Sequence, residues 1–189
     1  MAPENLGTAI PKDVRSKSLT VNVIETERLI LRRFTIADAP FIVELLNQPS
    51  WLRFVGDRGI RTIDDAEKYI VKVHLASYER VGFGFYLTEL KDGHTPIGMC
   101  GLIKRETLDD VDIGFAFLPQ FWRKGYAFEA ASAAMEYGRH ELKLKRIVAI
   151  VMPDNERSIK LLKRIGLVFE RVMTAPEDGE ELAVYGANF

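Results

Sequence analysis

Between residues 84 and 118 the sequence offers three short apolar stretches, GFYLTEL (84–90), PIGMCGLI (96–103) and VDIGFAFL (111–118). They are separated only by the turn-like segments KDGHT and KRETLDD. Runs of this length, rich in β-branched and aromatic residues and bounded by Gly, Asp and Thr, read as strands. With no room between them for a crossover helix they must pair antiparallel, as a meander. Everything else in the chain has to pack around that unit.

On its N-terminal side, Leu19 to Phe34 alternates apolar and polar residues and predicts one or two further strands. Thr35 caps a short helix to about Asn47, with Pro40 in its first turn, where a missing N–H costs little. Thr62 and Asp65 form a capping-box pattern opening a helix over 63–79, with an apolar stripe at Ala66, Tyr69, Ile70, Val73 and Leu75. After the meander a long helix is expected over 126–142, then the strand RIVAIVM (146–152). A helix capped by Asn155 and stopped by Gly166 follows, then strands near 167–173 and 181–186. This order predicts an α/β fold, a mixed, mostly antiparallel central sheet flanked by helices on both faces. Residues 19–189 read as a single domain after a flexible leader over 1–18.

Composition narrows the function classes. The chain has 189 residues, 47% hydrophobic and 28% charged, with a net charge of −1. That balance suits a globular protein and gives no global attraction to nucleic acid or acidic membrane. No apolar run approaches the roughly 20 residues of a membrane span, and the first residues have neither a signal peptide's apolar core nor a transit peptide's cationic face. A cytoplasmic location is the expectation. One cysteine, Cys100, permits no internal disulfide, and His74, His94 and His140 are too widely spaced to suggest metal ligands, so no metal is expected. Cys100 sits in an apolar strand and reads as a buried, inert thiol.

The segment QFWRKGYAFEAA (120–131) carries the chemistry. It turns from a strand into a helix whose first N–H groups have no intrahelical acceptor. Gly125 tolerates a left-handed backbone, and Arg123 and Lys124 add positive charge at the same point. A solvated turn is the plain reading; an anion site, best suited to a pyrophosphate, is the functional one. Neither GxxxxGK[ST] nor GxGxxG after a strand is present, so nucleotide-binding fingerprints are lacking.

WRKGYA, between a strand and FEAASAAMEYG, resembles the [Q/R]-x-x-G-x-[G/A] signature of the GCN5-related N-acetyltransferases (GNAT), with Trp122 at the Gln/Arg position. It is closest in pattern to the ribosomal-protein N-terminal acetyltransferase-like (RimJ/RimL-type) branch. NERSIKLLKRIGLVFE (155–170) is similar to that branch's N-x-x-S-x-x-L-L-x-x-x-G-F, and ETERLILRRFTIADA resembles its T-x-R-L-x-L-R opening. The resemblance implies the GNAT fold, with a splay between the fourth and fifth strands, at 111–118 and 146–152. It implies acetyl-CoA as donor and a primary amine as acceptor, either a protein N-terminus or a small molecule. The pantetheine arm would run beside Phe115, Phe117 and Leu118, with Arg123, Lys124, Gly125, Tyr126 and Ala127 around the pyrophosphate.

The same resemblance places Asp112 where relatives carry an acidic base, and Ser158 where a serine protonates the departing thiolate. Asn155 would touch the cofactor arm besides capping its helix. Asp112 can equally be an outward strand carboxylate, and Ser158 a local cap. The segment SWLRFVGDRGIRT (50–62) would wall the acceptor cleft through Trp51, Phe54, Asp57 and Arg58, with Asp57 receiving an ammonium and Phe85 in the floor. A non-catalytic acyl-CoA sensor, or an acyltransferase with another chain or a hydroxyl acceptor, keeps most of these features. The state is monomer or homodimer, the latter suggested by apolar edge segments such as ELAVYG.

Overall fold

Two antiparallel strands, β1 (Asn22–Glu25) and β2 (Leu29–Arg32), lead into a 3-10 turn (Ile36–Asp38) and two helices, α1 (Ala39–Leu46) and α2 (Pro49–Phe54). The computed structural model describes residues 20–175 and 179–189; the leader expected over 1–18 lies outside them. Helix α3 (Ile63–Tyr69) continues through a π-helical stretch, Ile70–Leu75, into α4 (Ala76–Val81). The meander follows as β3 (Phe85–Leu90), β4 (Pro96–Ile103) and β5 (Val111–Phe117), within a residue of the expected limits. Helix α5 (Tyr126–His140), β6 (Arg146–Val151), α6 (Glu156–Arg164), β7 (Val168–Thr174) and β8 (Glu181–Asn188) complete the chain.

The eight strands form one sheet in the order β1-β2-β3-β4-β5-β6-β8-β7. Every neighbouring pair is antiparallel except β5 and β6, joined in parallel through α5. Counting both short N-terminal strands, the splay expected between 111–118 and 146–152 falls between β5 and β6. Side chains from the strands supply a core on each face. Tyr86, Cys100, Leu102 and Ile113 pack with Ala130, Ala131, Ala134 and Met135 of α5. Leu87 and Met99 pack with Phe41, Ile42, Leu45 and Leu46 of α1 and with Ala66 and Ile70. Small residues let α5 lie close to the sheet: a Cβ on Gly138 would come within 2.7 Å of both Ile147 Cδ1 and Leu102 Cδ1.

The first crossing between sheet and helix layer is ionic. Arg32 is buried and donates through Nη1 and Nη2 to the two oxygens of Asp38 (2.9 and 2.8 Å) and through Nε to Glu89 (2.9 Å). Asp38 also accepts from the Thr35 N–H (2.8 Å), and Glu89 bonds His94 Nδ1 (2.8 Å). With both carboxylates hydrogen-bonded the charges are compensated; removing one partner of such a buried set costs about 3–5 kcal/mol.

The stripe expected on the second helix is displaced. The residues buried there are Ala66, Ile70, His74 and Tyr78, whereas Val73 is exposed. These four are spaced by four, and a spacing of four drifts about 40° per step around an ordinary helix. The π-helical stretch takes more residues per turn and absorbs part of that drift. It keeps the four on one side.

One of them is ionisable. His74 stacks on Phe34 at 4.2 Å, lies edge-on to Tyr69 and Phe85, and its Nε2 has no partner. Burial drives its pKa down from 6.5 to about 3, only weakly opposed by Asp38. The folded state therefore binds fewer protons here than the unfolded state. Stability should fall by a few kcal/mol as pH drops from about 6.5 toward about 3. Denaturant unfolding across that range should show a shallower decline in His74→Leu than in wild type.

Candidate active site

β5 and β6 share two register pairs, Val111 with Ile147 and Asp112 with Val148, and then part. β5 stays paired with β4 as far as Phe117, while β6 is paired with β8 along its length. The parting therefore lies between two well-bonded half-sheets. The Leu118 N–H bonds the Ile97 carbonyl (2.9 Å) on the β4 side, and strand alternation turns the peptide groups of Phe117 and Phe115 to the opposite, open edge. There the Phe117 carbonyl accepts from the Trp122 indole Nε1 at 2.7 Å.

The opening continues into a cavity of about 530 Å³. Phe115, Phe117, Arg123, Gly125, Tyr126, Ala127, Asn155 and Ser158 line it, with Trp51 and Phe54 of α2 on the far wall. Ten of the residues singled out in the sequence thus come together. Leu118 does not join them: its side chain is buried in the α1 core. Lys124 also stays out of the lining, its ammonium lying over the Phe121 ring at 5.3 Å.

The turn before α5 has a left-handed backbone. Arg123 (φ 62°) and Gly125 (φ 84°) are both left-handed, a conformation that costs a non-glycine residue on the order of 1 kcal/mol or more. Such alternation gathers successive backbone N–H groups into a concave nest. No side chain caps α5, whose Glu129 N–H is the first to bond back, to the Gly125 carbonyl (3.0 Å). α6 differs, since the Asn155 side chain accepts from the Ser158 N–H at 3.2 Å.

Sequence reasoning missed the other cations at this site. Arg157, Lys160 and Arg164 of α6 line the cavity, with Arg157 stacked over Trp122 (4.8 Å) and Arg164 over Phe128 (4.3 Å). Their spacing of three and four residues puts them on one helical face, a periodicity visible in NERSIKLLKR. Together with Arg123 they surround the cavity with positive charge.

The remaining candidates lie elsewhere. Asp112 sits at the closed end of the splay, buried, with Arg105 Nε at 3.1 Å from both of its oxygens. Burial pushes its pKa up against the opposing pull of Arg105. It is not among the cavity's lining residues, and its side of β5 is covered at Gly114 by Phe85, whose Cζ would lie 2.6 Å from a Cβ there. Phe85 itself packs against that strand and His74 rather than lining the cavity. Asp57 is exposed and paired with Arg61 at 2.5 Å, a hydrogen bond that with the Gly59 N–H holds its pKa below the ordinary value. Arg58 is exposed beside it. Within the segment 50–62, Trp51 and Phe54 stand on the helix α2 (Pro49–Phe54), begun by Pro49 in its first turn.

Burial pushes the Cys100 thiol up to about 12, which keeps it neutral and unreactive. No cluster of three or more His, Cys, Asp or Glu able to hold a metal occurs among the described residues, and no described helix is long and apolar enough to cross a membrane.

Comparison with known proteins agrees with this architecture. Residues 28–168 match the acetyltransferase (GNAT) domain. An uncharacterized N-acetyltransferase of Bacillus subtilis, YoaA, is 32% identical over 153 residues, 80% of this chain and 85% of its own. A GNAT-family acetyltransferase from Bacillus anthracis superposes with a TM-score of 0.74 at 27% identity, over 87% of this chain and 97% of its own. RimL, a ribosomal L7/L12 alpha-N-protein acetyltransferase solved with coenzyme A, shares the fold at a TM-score of 0.75 and 18% identity, over 90% of this chain and 98% of its own. A strand edge parted from its neighbour, a left-handed basic turn at the head of α5 and a domain match across most of the sequence converge: the chain belongs to the GNAT acetyltransferase family.

Proposed function

We propose that the protein moves an acetyl group from acetyl-CoA directly to a primary amine, a peptide N-terminus or a small molecule, as a cytoplasmic enzyme. The observation that carries this reading is the cavity at the open edge of β5, lined by Arg123 of the turn before α5 and by Arg157, Lys160 and Arg164 of α6. A donor with an amide-bearing arm and several phosphates matches both features. The arm's amides complete the hydrogen bonding of the open β5 edge, as an added strand does. The phosphates meet the N–H nest at Gly125 and the cations of α6.

In the reaction, the neutral amine nitrogen attacks the thioester carbonyl, the oxyanion forms, and its collapse breaks the C–S bond to release a thiolate. The Phe115 N–H, on the open edge, is the donor assigned to the oxyanion. Ser158, in the cavity wall at the first turn of α6, is assigned the proton for the thiolate. Asp112, on the same face of β5 as the cavity-lining Ala116, is assigned the role of base. Its burial suits the task, because a raised pKa makes the ionised carboxylate a better proton acceptor. Trp51 and Phe54 form the acceptor wall.

Calorimetric titration with acetyl-CoA should give saturable binding that ATP does not reproduce, and Gly125→Glu should abolish it by straining the left-handed turn, crowding Arg28 and adding negative charge beside the site; absence of wild-type binding refutes the donor assignment. Asp112→Asn should lower kcat/KM about 100-fold or more. Wild-type activity should decline as pH falls through the raised pKa, and that acid limb should vanish in the variant; an unchanged rate and profile leaves Asp112 as the structural partner of Arg105. Ser158→Ala should lower kcat with little change in acetyl-CoA affinity, measured by steady-state kinetics beside titration.

A further inference from the structure

The turn that forms the nest is held by residues about a hundred positions earlier in the chain. Arg28, just before β2, donates through Nη1 to the Lys124 carbonyl (3.1 Å) and through Nε to Glu129 Oε2 (2.7 Å), with Nη2 2.6 Å from the same oxygen. Its backbone N–H bonds the other oxygen of Glu129 (2.9 Å), which also accepts from Thr26 Oγ1 (2.6 Å). The guanidinium lies 4.6 Å from the centre of the Tyr126 ring, and a Cβ on Gly125 would come 3.2 Å from Nη2. One side chain therefore meets Lys124, Gly125, Tyr126 and Glu129, the turn and the first helical turn together.

The contact at Lys124 has a directional effect. A trans peptide is planar, so its carbonyl and the following N–H point in opposite directions. Fixing the Lys124 carbonyl on Arg28 fixes the Gly125 N–H on the other side of the same plane, away from Arg28, and Gly125 lines the cavity. Glu129, bonded to Thr26 and to both the backbone and the side chain of Arg28, sets the rotation of α5 about its axis at its N-terminus. The strained Arg123 and the left-handed Gly125 lie directly beside this point. A left-handed turn persists only where its surroundings hold it.

We propose that Thr26, Arg28 and Glu129 form a positioning clamp that presets the anion-binding turn, so that affinity for the donor's diphosphate depends on side chains that do not touch it. The inference rests on the acetyl-CoA reading above. The Arg28 side chain is 44% exposed, so the ion pair with Glu129 contributes little to global stability and the melting temperature should hardly move. The effect belongs to the ligand.

Arg28→Ala and Arg28→Lys are to be compared with wild type in titrations of acetyl-CoA and in kinetics with acetyl-CoA and with S-acetylpantetheine, which lacks the diphosphate. Arg28→Ala should weaken acetyl-CoA binding and raise its KM roughly tenfold, as loss of a group supporting a binding residue does, with kcat at saturation and kcat/KM for S-acetylpantetheine unchanged. Arg28→Lys should fail to restore affinity, because one ammonium cannot reproduce the planar fork that meets Glu129 and the Lys124 carbonyl together. Full restoration by lysine would reduce Arg28 to a positive charge near the phosphates and overturn the clamp, as would equal losses with both donors. Wild-type binding with unaltered Arg28→Ala affinity overturns the clamp alone; no wild-type binding overturns the donor reading and the clamp with it.

Discussion

Two hydrogen-bonded half-sheets that meet at only two register pairs govern this molecule. A sheet normally continues its ladder, because an unpaired strand edge leaves N–H and C=O groups wanting partners. Here β5 is committed to β4 and β6 to β8, so neither can swing across to close the gap. The gap is thus a property of the whole sheet. α5 must span from one half to the other, and its N-terminus consequently starts beside the open edge, where the chain leaves β5 through 118–125. Cavity, nest and cationic rim all follow from that placement.

The opening block ETERLILRR shows how one short strand serves several layers at once. Thr26 and Arg28 face the head of α5, Leu29 and Leu31 are fully buried, and Arg32 ties the sheet to the turn before α1 through Asp38 and to β3 through Glu89. Two of its arginines, Arg28 and Arg32, differ in cost. Arg32 is buried and must keep its partners, whereas Arg28 is partly exposed and can lose its own with little effect on folding. The strand's ionic contacts therefore divide between holding the fold and shaping the site.

The strands of the meander are legible in the sequence because period-two patterning and turn residues are local signals. The same holds for the caps at Thr62 and Asn155 and for the break at Gly166, whose φ of 94° suits glycine. Gly125 marks the turn before α5 for the same reason, its φ of 84° suiting glycine. What escapes is whatever depends on distance in space. Glu129 reads as one more polar residue of an amphipathic helix until Thr26 and Arg28 arrive beside it, and Arg157, Lys160 and Arg164 read as a solvated face until α6 is laid against α5. The short helix at Pro49–Phe54 has too few turns to show a period. Asp57 and Arg58 look like cleft residues by type, but Asp57 already has a partner four residues away in Arg61.

The π-helical stretch at Ile70–Leu75 also restricts how the chain can vary in length. Deleting one residue there would restore regular i to i−4 bonding and cut the steps from Ala66 to Tyr78 to about three ordinary turns, so Ile63–Tyr69 and Ala76–Val81 would keep nearly the same facing. Ala66 and Tyr78 would then still share one side of the helix. A relative with one residue fewer and no widened turn can therefore keep the same buried face, and an alignment through residues 66–78 without a gap would match inward residues of one protein to outward residues of the other.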